Sequence, residues 1–206
     1  NTNIVIVPNT YSFDNSKETP TVSDYRSKKV VNSLYGSVLM DYKRMIYAEV
    51  TGRNDWSSTL PSSTNSYFYP SVTLSGLLSE MLRLPSVISY AKVRGSYASV
   101  GNDTGPYSLY NTYSLSDYWN GVPTLTSPGN LLNNNLKPAR SETWEVGAEL
   151  NLFKNRLNFD FSYYHTITKD QIISLQIANT SGYDSRLINS GKTANSVIEL
   201  VVSATP

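Results

Sequence analysis

The sequence predicts an all-β chain, an antiparallel up-and-down meander, on three observations. Apolar and polar residues alternate at period two through seven segments, while the 3.6-residue period of an amphipathic helix is nearly absent. The connections between segments alternate between short and long. Charged residues make up only 16% of the 206 residues and Tyr alone contributes 16 side chains, against about 25% charged in an ordinary soluble domain. The alternation leaves two environments open for the apolar faces: a second sheet, as in a soluble sandwich, or hydrocarbon, as in a membrane barrel.

Taken in order, the first strand is the least regular and falls near residues 34–40. In 45–52, Ile46, Ala48 and Val50 share a face; in 68–78, Phe68, Val72, Leu74 and Leu78 do, with Pro70 and Gly76 in the same register. Residues 90–99 set Ala91, Val93 and Tyr97 against Lys92, Arg94 and Ser96. Residues 144–152 set Trp144, Val146, Ala148, Leu150 and Leu152 against Glu145, Glu149 and Asn151. In 157–163, Leu157, Phe159, Phe161 and Tyr163 oppose Asn158, Asp160 and Ser162, and 198–204 closes the series with Ile198, Leu200, Val202 and Ala204. Lys92, Arg94, Glu145, Glu149 and Asp160 therefore belong to the polar face.

Tyr42-Lys43-Arg44 and Phe153-Lys154-Asn155 are tight turns, and 79–89, with Pro85, is a medium link. Residues 53–66, 100–138 and 169–195 are longer polar connections. In a meander this order puts every short turn at one end and every long loop at the other, the asymmetry of outer-membrane barrels. Trp144, the run Tyr163-Tyr164-His165 and the run Tyr67-Phe68-Tyr69 all fall toward the long-loop end. Interfacial aromatic girdles account for that placement, whereas a sandwich core spreads its aromatics through the middle.

Composition excludes several functions. A formal charge of +1 argues against a nucleic-acid binder. With no Cys and one His, thiol catalysis, disulfide scaffolds and multi-His metal centres are out of reach. No apolar run exceeds four residues, so no transmembrane helix is encoded. No cofactor or catalytic residue is expected. His165 reads as a girdle residue, because no nucleophile or orienting acid is placed near it. Gly191-Lys192-Thr193 lacks the upstream glycine of a phosphate-binding loop, since Arg186 stands there. The chain begins at Asn1 without a signal-peptide pattern and reads as an excerpt of a longer protein.

The longest loop carries Tyr107, Tyr110, Tyr113, Asp117, Tyr118, Trp119 and Asn120. Ring faces pack against sugar C–H groups while Asn, Asp and phenol groups serve the hydroxyls, so these residues form the candidate ligand-binding set. The plainer reading is that the rings pack the loop on itself.

Three stretches resemble one family. Residues 53–61 (RNDWSSTLP) followed by 65–75 (NSYFYPSVTLS), residues 91–103 (AKVRGSYASVGND), and residues 133–172, with the turn LFKNRL, are similar in order and spacing to SusC/RagA-like TonB-dependent outer-membrane transporters. The departures are Val197 after Asn195-Ser196, where the family has glycine, and Asn135 before Leu136. The resemblance runs from about Ser33 to the end. It implies that residues 33–206 supply about seven consecutive strands of a barrel of about 22 strands, with residues 1–32 an external loop or strand remnant. It further implies a bacterial outer-membrane importer of oligosaccharides or, second, peptides. Its partners would be the rest of the barrel and a plug domain, a SusD-like surface lipoprotein, outer-membrane lipid, and TonB, reached through a segment outside this chain. A soluble β-sandwich lectin or carbohydrate-binding module is the competing reading, with the same Tyr-rich loop as its platform.

Overall fold

The structure, a computed structural model, describes residues 7–9, 12, 15 and 24–205. In chain order the strands are β1 (Val31–Tyr42), β2 (Ile46–Ser57), β3 (Ser66–Leu77), β4 (Ile88–Asn102), β5 (Ser114–Trp119) and β6 (Val122–Thr126). They continue with β7 (Asn130–Leu131), β8 (Ala139–Leu152), β9 (Leu157–Lys169), β10 (Ile172–Gln176), β11 (Ser185–Asn189) and β12 (Lys192–Ala204). A single helical turn, α1 (Leu78–Met81), follows β3. Seven strands form one antiparallel sheet in the order β1-β2-β3-β4-β8-β9-β12. The loops hold the β5–β6 hairpin and a small sheet, β10-β11-β7. All seven long strands coincide with the alternating segments. The expected boundary at residue 33 falls inside β1, and most of the segment before Asp24 lies outside the described residues.

Pairing two-residue periodicity across seven strands aligns side chains of one kind into rows. One row runs Met40, Ala48, Leu74, Gly95, Val146, Tyr163, Ile198, and the next runs Tyr42, Ile46, Gly76, Val93, Ala148, Phe161, Leu200. A third runs Val38, Val50, Val72, Tyr97, Trp144, His165, Ser196. The opposite face carries rows such as Ser37, Thr51, Ser71, Ala98, Thr143, Thr166, Asn195, where Thr51–Ser71 (2.6 Å) and Thr143–Thr166 (2.8 Å) share hydroxyl hydrogen bonds.

No second layer covers the apolar face among the described residues. Ile198 is 68% exposed and Leu200 61%, and the buried hydrophobic residues are Leu60, Ala91 and Leu136 alone. A sandwich of this length buries an apolar core between its sheets, so the lectin reading lacks its defining feature. On β8 the apolar series from Trp144 to Leu152 spans eight residue steps, about 27 Å of strand. Tilted by 35–45°, that is about 20 Å of membrane depth, close to the ~25 Å apolar band of outer-membrane barrels. Among the described residues β1 and β12 are the outer strands of the sheet, and an open strand edge cannot stand in lipid.

Turn chemistry sets the short end. Lys43 (φ 52°) and Arg44 (φ 58°) are both left-handed, and Met45 N–H donates to Tyr42 O at 2.9 Å. Two successive left-handed residues turn the chain tightly with the twist of the flanking strands, and a three-residue loop, 43–45, brings Tyr42 opposite Ile46. Phe153, Lys154 and Asn155 are left-handed as well and join β8 to β9. The link to β4 lies at this same end, whereas residues 58–65, 103–138 and 170–191 gather at the other.

Structure departs from expectation in the long connections. Residues 53–57 extend β2 instead of opening a loop, and residues 192–197 extend β12. Trp144 lies inside β8, which starts five residues earlier. The strands thus run on past the aromatic level as a ribbon. Of the run at 67–69 only Phe68 shares the apolar register; Tyr67 and Tyr69 lie on the polar face with Asp55. Tyr164 is likewise on the polar side, where its hydroxyl donates to Glu199 at 3.3 Å.

Candidate functional site: the long-loop end and the polar face

Three long loops are tied together by short polar side chains. The Asn189 amide donates to Lys137 O (2.8 Å) and Asp170 O (2.9 Å), and its Oδ1 accepts Lys137 N–H (2.8 Å). Asn111 does the same inside the longest loop, donating to Asn130 O (2.7 Å) and accepting from Leu132 N (2.8 Å). Thr64 Oγ1 donates to the carbonyl of the fully buried Leu136 at 2.8 Å, joining the first loop to the second. Each bond gives a partner to backbone of the long loops, where the main sheet's ladder does not run.

Asp103 fastens the end of β4. Lys29 Nζ approaches Oδ1 at 2.6 Å, and Oδ2 accepts from Ser57 Oγ and from Thr59 Oγ1 (3.1 Å). Burial alone would raise the pKa of this carboxyl; the Lys29, Ser57 and Thr59 hydrogen bonds outweigh it and hold the group below the ordinary aspartate range. A cleft of about 710 Å³ opens beside it, bordered by Asn102, Thr104, Ser141, Thr168 and Gln171 together with Ile173.

The candidate ligand set divides in two. Tyr107, left-handed at φ 62°, accepts the Lys28 N–H on its hydroxyl at 3.2 Å, and Tyr110 borders a small cleft against Ser58 and Thr59. Tyr118 and Trp119 stand on the β5–β6 hairpin, closed by Asn120 (φ 47°) and Gly121 (φ 80°). Asn-Gly with two left-handed residues is the preferred two-residue hairpin turn, a signal legible in the sequence that the loop reading passes over. Trp119 is 79% exposed and Tyr118 73%, with Tyr113, Leu115, Val122 and Leu125 also exposed. Asp117 lies on the same hairpin strand. Among the described residues β5 and β6 pair only with each other.

The five polar-face charges are brought together by register. Lys92, Glu149 and Asp160 share one row, Arg94, Gly147 and Ser162 the next, and Ser96, Glu145 and Tyr164 the third. Arg94 is the centre: Nη2 donates to Asp160 Oδ1 (2.9 Å) and Ser162 Oγ (2.5 Å), and Nε reaches Glu145 Oε1 at 3.5 Å. It crosses β8 to do so over Gly147, where an added Cβ would lie 2.7 Å from Arg94 Nε. Glycine at 147 is therefore a requirement of this bridge. Among the described residues no group of three His, Asp or Glu could hold a metal ion.

On the apolar face Trp144, Tyr163 and His165 form a belt narrower than the expected girdle, because Tyr67, Tyr69 and Tyr164 lie on the polar face. Trp144 meets Tyr163 edge-on at 5.2 Å and His165 at 5.7 Å, and His165 Nδ1 shares a hydrogen bond with Ser196 Oγ at 2.7 Å. One face apolar across seven strands, an aromatic belt, a polar reverse and one end of long loops define a stretch of wall from a transmembrane β-barrel.

The comparisons place that wall. A family model described as TonB dependent receptor-like, beta-barrel, matches residues 3–205, and the chain belongs to this family of outer-membrane barrels. TonB-dependent receptor P3 of Formosa agariphila is 28% identical over 191 residues, 88% of this chain, and TonB-dependent receptor P39 of the same organism is 28% identical over 200 residues. The chain spans about a fifth of the length of these curated relatives (19% of each). Among solved structures, the RagAB peptide importer in its closed-closed state superposes at TM-score 0.87 over 97% of this chain and 23% of that one, at 20% identity. The siderophore receptor PirA from Pseudomonas aeruginosa superposes at TM-score 0.56 over 84% of this chain and 31% of that one, at 16% identity.

Proposed function

We propose that this chain is wall and outer loops of a TonB-dependent importer of oligosaccharides, its polar face lining the substrate path and meeting the plug. The observation that carries the reading is the apolar face, uncovered across seven strands and belted by Trp144, Tyr163 and His165, with the long loops at one end only. Ligand capture falls to the loop end. The Tyr118–Trp119 hairpin presents ring faces to solvent, and a cleft elsewhere at the loop end is edged with Asn, Thr and Ser side chains; ring faces and small polar groups are what sugars require. A SusD-like surface lipoprotein closing over these loops, and TonB acting on the plug, would complete the cycle. Arg94, held by Asp160, Glu145 and Ser162, gives the lumen a fixed positive guanidinium flanked by acids. That arrangement holds the wall's shape while substrate or plug passes.

A peptide cargo is the second reading, favoured by the RagAB likeness, because that solved structure is named a peptide importer. Tyr-rich surfaces bind peptides as well as sugars. The discriminating experiment uses the whole receptor with Tyr118→Ala and Trp119→Ala combined, measuring binding of an oligosaccharide pool and of a peptide pool at equal surface expression. Loss confined to the oligosaccharide pool supports the leading reading. Loss confined to peptides transfers the assignment to them, and unchanged binding of both removes the hairpin from the site.

A further inference from the structure

Past the aromatic belt, the outward register turns basic. The row containing Trp144 and His165 is followed, two residues further toward the loops, by Ser99, Glu142, Ile167 and Ala194, and then by Gly101, Arg140, Lys169 and Lys192. Three cations thus sit side by side on adjacent strands of one face. Like charges directly opposite each other in a sheet repel. Glu142, one row nearer the belt, is the acid beside them: its Oε2 lies 2.8 Å from Lys169 Nζ, and its charge also acts on Arg140 and Lys192. Among the described residues neither Arg140 nor Lys192 makes an ion pair; Arg140 Nη2 donates to the Phe68 carbonyl at 3.1 Å instead. A cleft of about 390 Å³ opens at Arg140, bordered by Phe68, Gly101, Thr64 and a fourth cation, Lys137, with Asp170 as its one acid.

Height decides what such a row meets. Trp144 to Arg140 is four residue steps, about 13 Å of strand and about 10 Å of depth at the usual tilt. If the belt marks the edge of the hydrocarbon, the row stands among headgroups. We propose that Arg140, Lys169 and Lys192 form a binding site for the phosphate of an outer-leaflet lipid headgroup, with the cleft at Arg140 receiving the sugar or glycerol that carries it. Arginine supplies a planar fork to two phosphate oxygens, and the two lysines act as point charges. Binding relieves the part of the repulsion among three cations that the one carboxylate of Glu142 leaves standing.

The proposal rests on the barrel reading of the wall and is independent of cargo, so its readout is lipid and not uptake. The whole receptor, purified in detergent, is incubated with diphosphoryl lipid A or its dephosphorylated form, and retained lipid is counted by native mass spectrometry. The wild-type receptor retains the phosphorylated form in preference, and R140Q/K169Q/K192Q lowers that retention at least about tenfold. K169R/K192R, which keeps both charges and leaves the Arg140 fork in place, preserves it, and Lys43→Gln at the opposite rim leaves it unchanged. Equal retention of both lipids by the wild type overturns the proposal, as does unchanged retention in the triple glutamine variant.

Discussion

The two faces of the seven-stranded sheet are made by the same strands, at alternate residues, and they follow opposite rules. Outward, Met40, Leu74, Val146, Phe161 and Leu200 make no polar contact and have no partner layer. Inward, Thr51–Ser71, Thr143–Thr166 and the Arg94–Asp160–Glu145–Ser162 bridge knit neighbouring strands through side chains. The difference shows where each face gets its order. The outward face needs only to be apolar, since lipid conforms to it, whereas the inward face must satisfy its own polar groups in a fixed geometry. Tolerance to substitution should split along the same line.

The largest expected effect is a charge placed outward. Val146→Arg, in the middle of the apolar band, should lower the stability of the receptor refolded into phosphocholine vesicles by about 2–4 kcal/mol. Ser96→Arg, opposite Glu145 on the neighbouring strand and facing inward, should change it by less than about 1 kcal/mol. Equal losses in denaturant titrations would erase the distinction between the faces. Next comes the inward bridge. Arg94→Leu strands Asp160 and Glu145 beside each other and should cost about 1–2 kcal/mol, the scale of lost charged hydrogen bonds in a partly wet site. Gly147→Ala should reproduce part of that loss, because its methyl occupies the space over which Arg94 lies.

Smaller effects belong to the loops. Asp103 has a lowered carboxyl pKa in the folded state, so it stabilises the loop end above the ordinary aspartate range. That contribution disappears as pH falls through the lowered folded value. Asp103→Asn should therefore raise hydrogen exchange or proteolysis near residues 57–59 and 103 at neutral pH, while at strongly acidic pH variant and wild type converge. Smallest of all, Trp119→Ala should leave stability within about 0.5 kcal/mol, because the ring is exposed on a hairpin outside the seven-stranded sheet. Its consequence is expected in ligand binding alone.

The sequence made the wall legible and the loops much less so. Alternation reports burial on one face, and each of the seven strands has one face turned toward hydrocarbon, so 144–152 and 157–163 stand out residue by residue. The ribbon beyond the belt has no such contrast. At Ala139–Thr143 and Lys192–Asn195 both faces are polar or small, and period two vanishes although the ladder continues. The β5–β6 hairpin was signalled by Asn120-Gly121, a local cue independent of periodicity. The clamps of Asn189 and Asn111 could not be found in the same way, because an Asn that bridges two loops is chosen by tertiary proximity. The polar-face charges show both limits together. Their shared face follows from spacing, but that Arg94 rather than Lys92 is the hub depends on Gly147 one strand away.

The direct test is which medium each face touches. The chain contains no cysteine, so single spin labels at V146C and L200C outward and at S96C and S162C inward can be introduced in a cysteine-free whole receptor and reconstituted in bilayers. The outward labels should relax with dissolved oxygen and stay shielded from a water-soluble nickel complex, and the inward labels should do the reverse. Outward labels as open to the nickel complex as the inward ones would contradict the account.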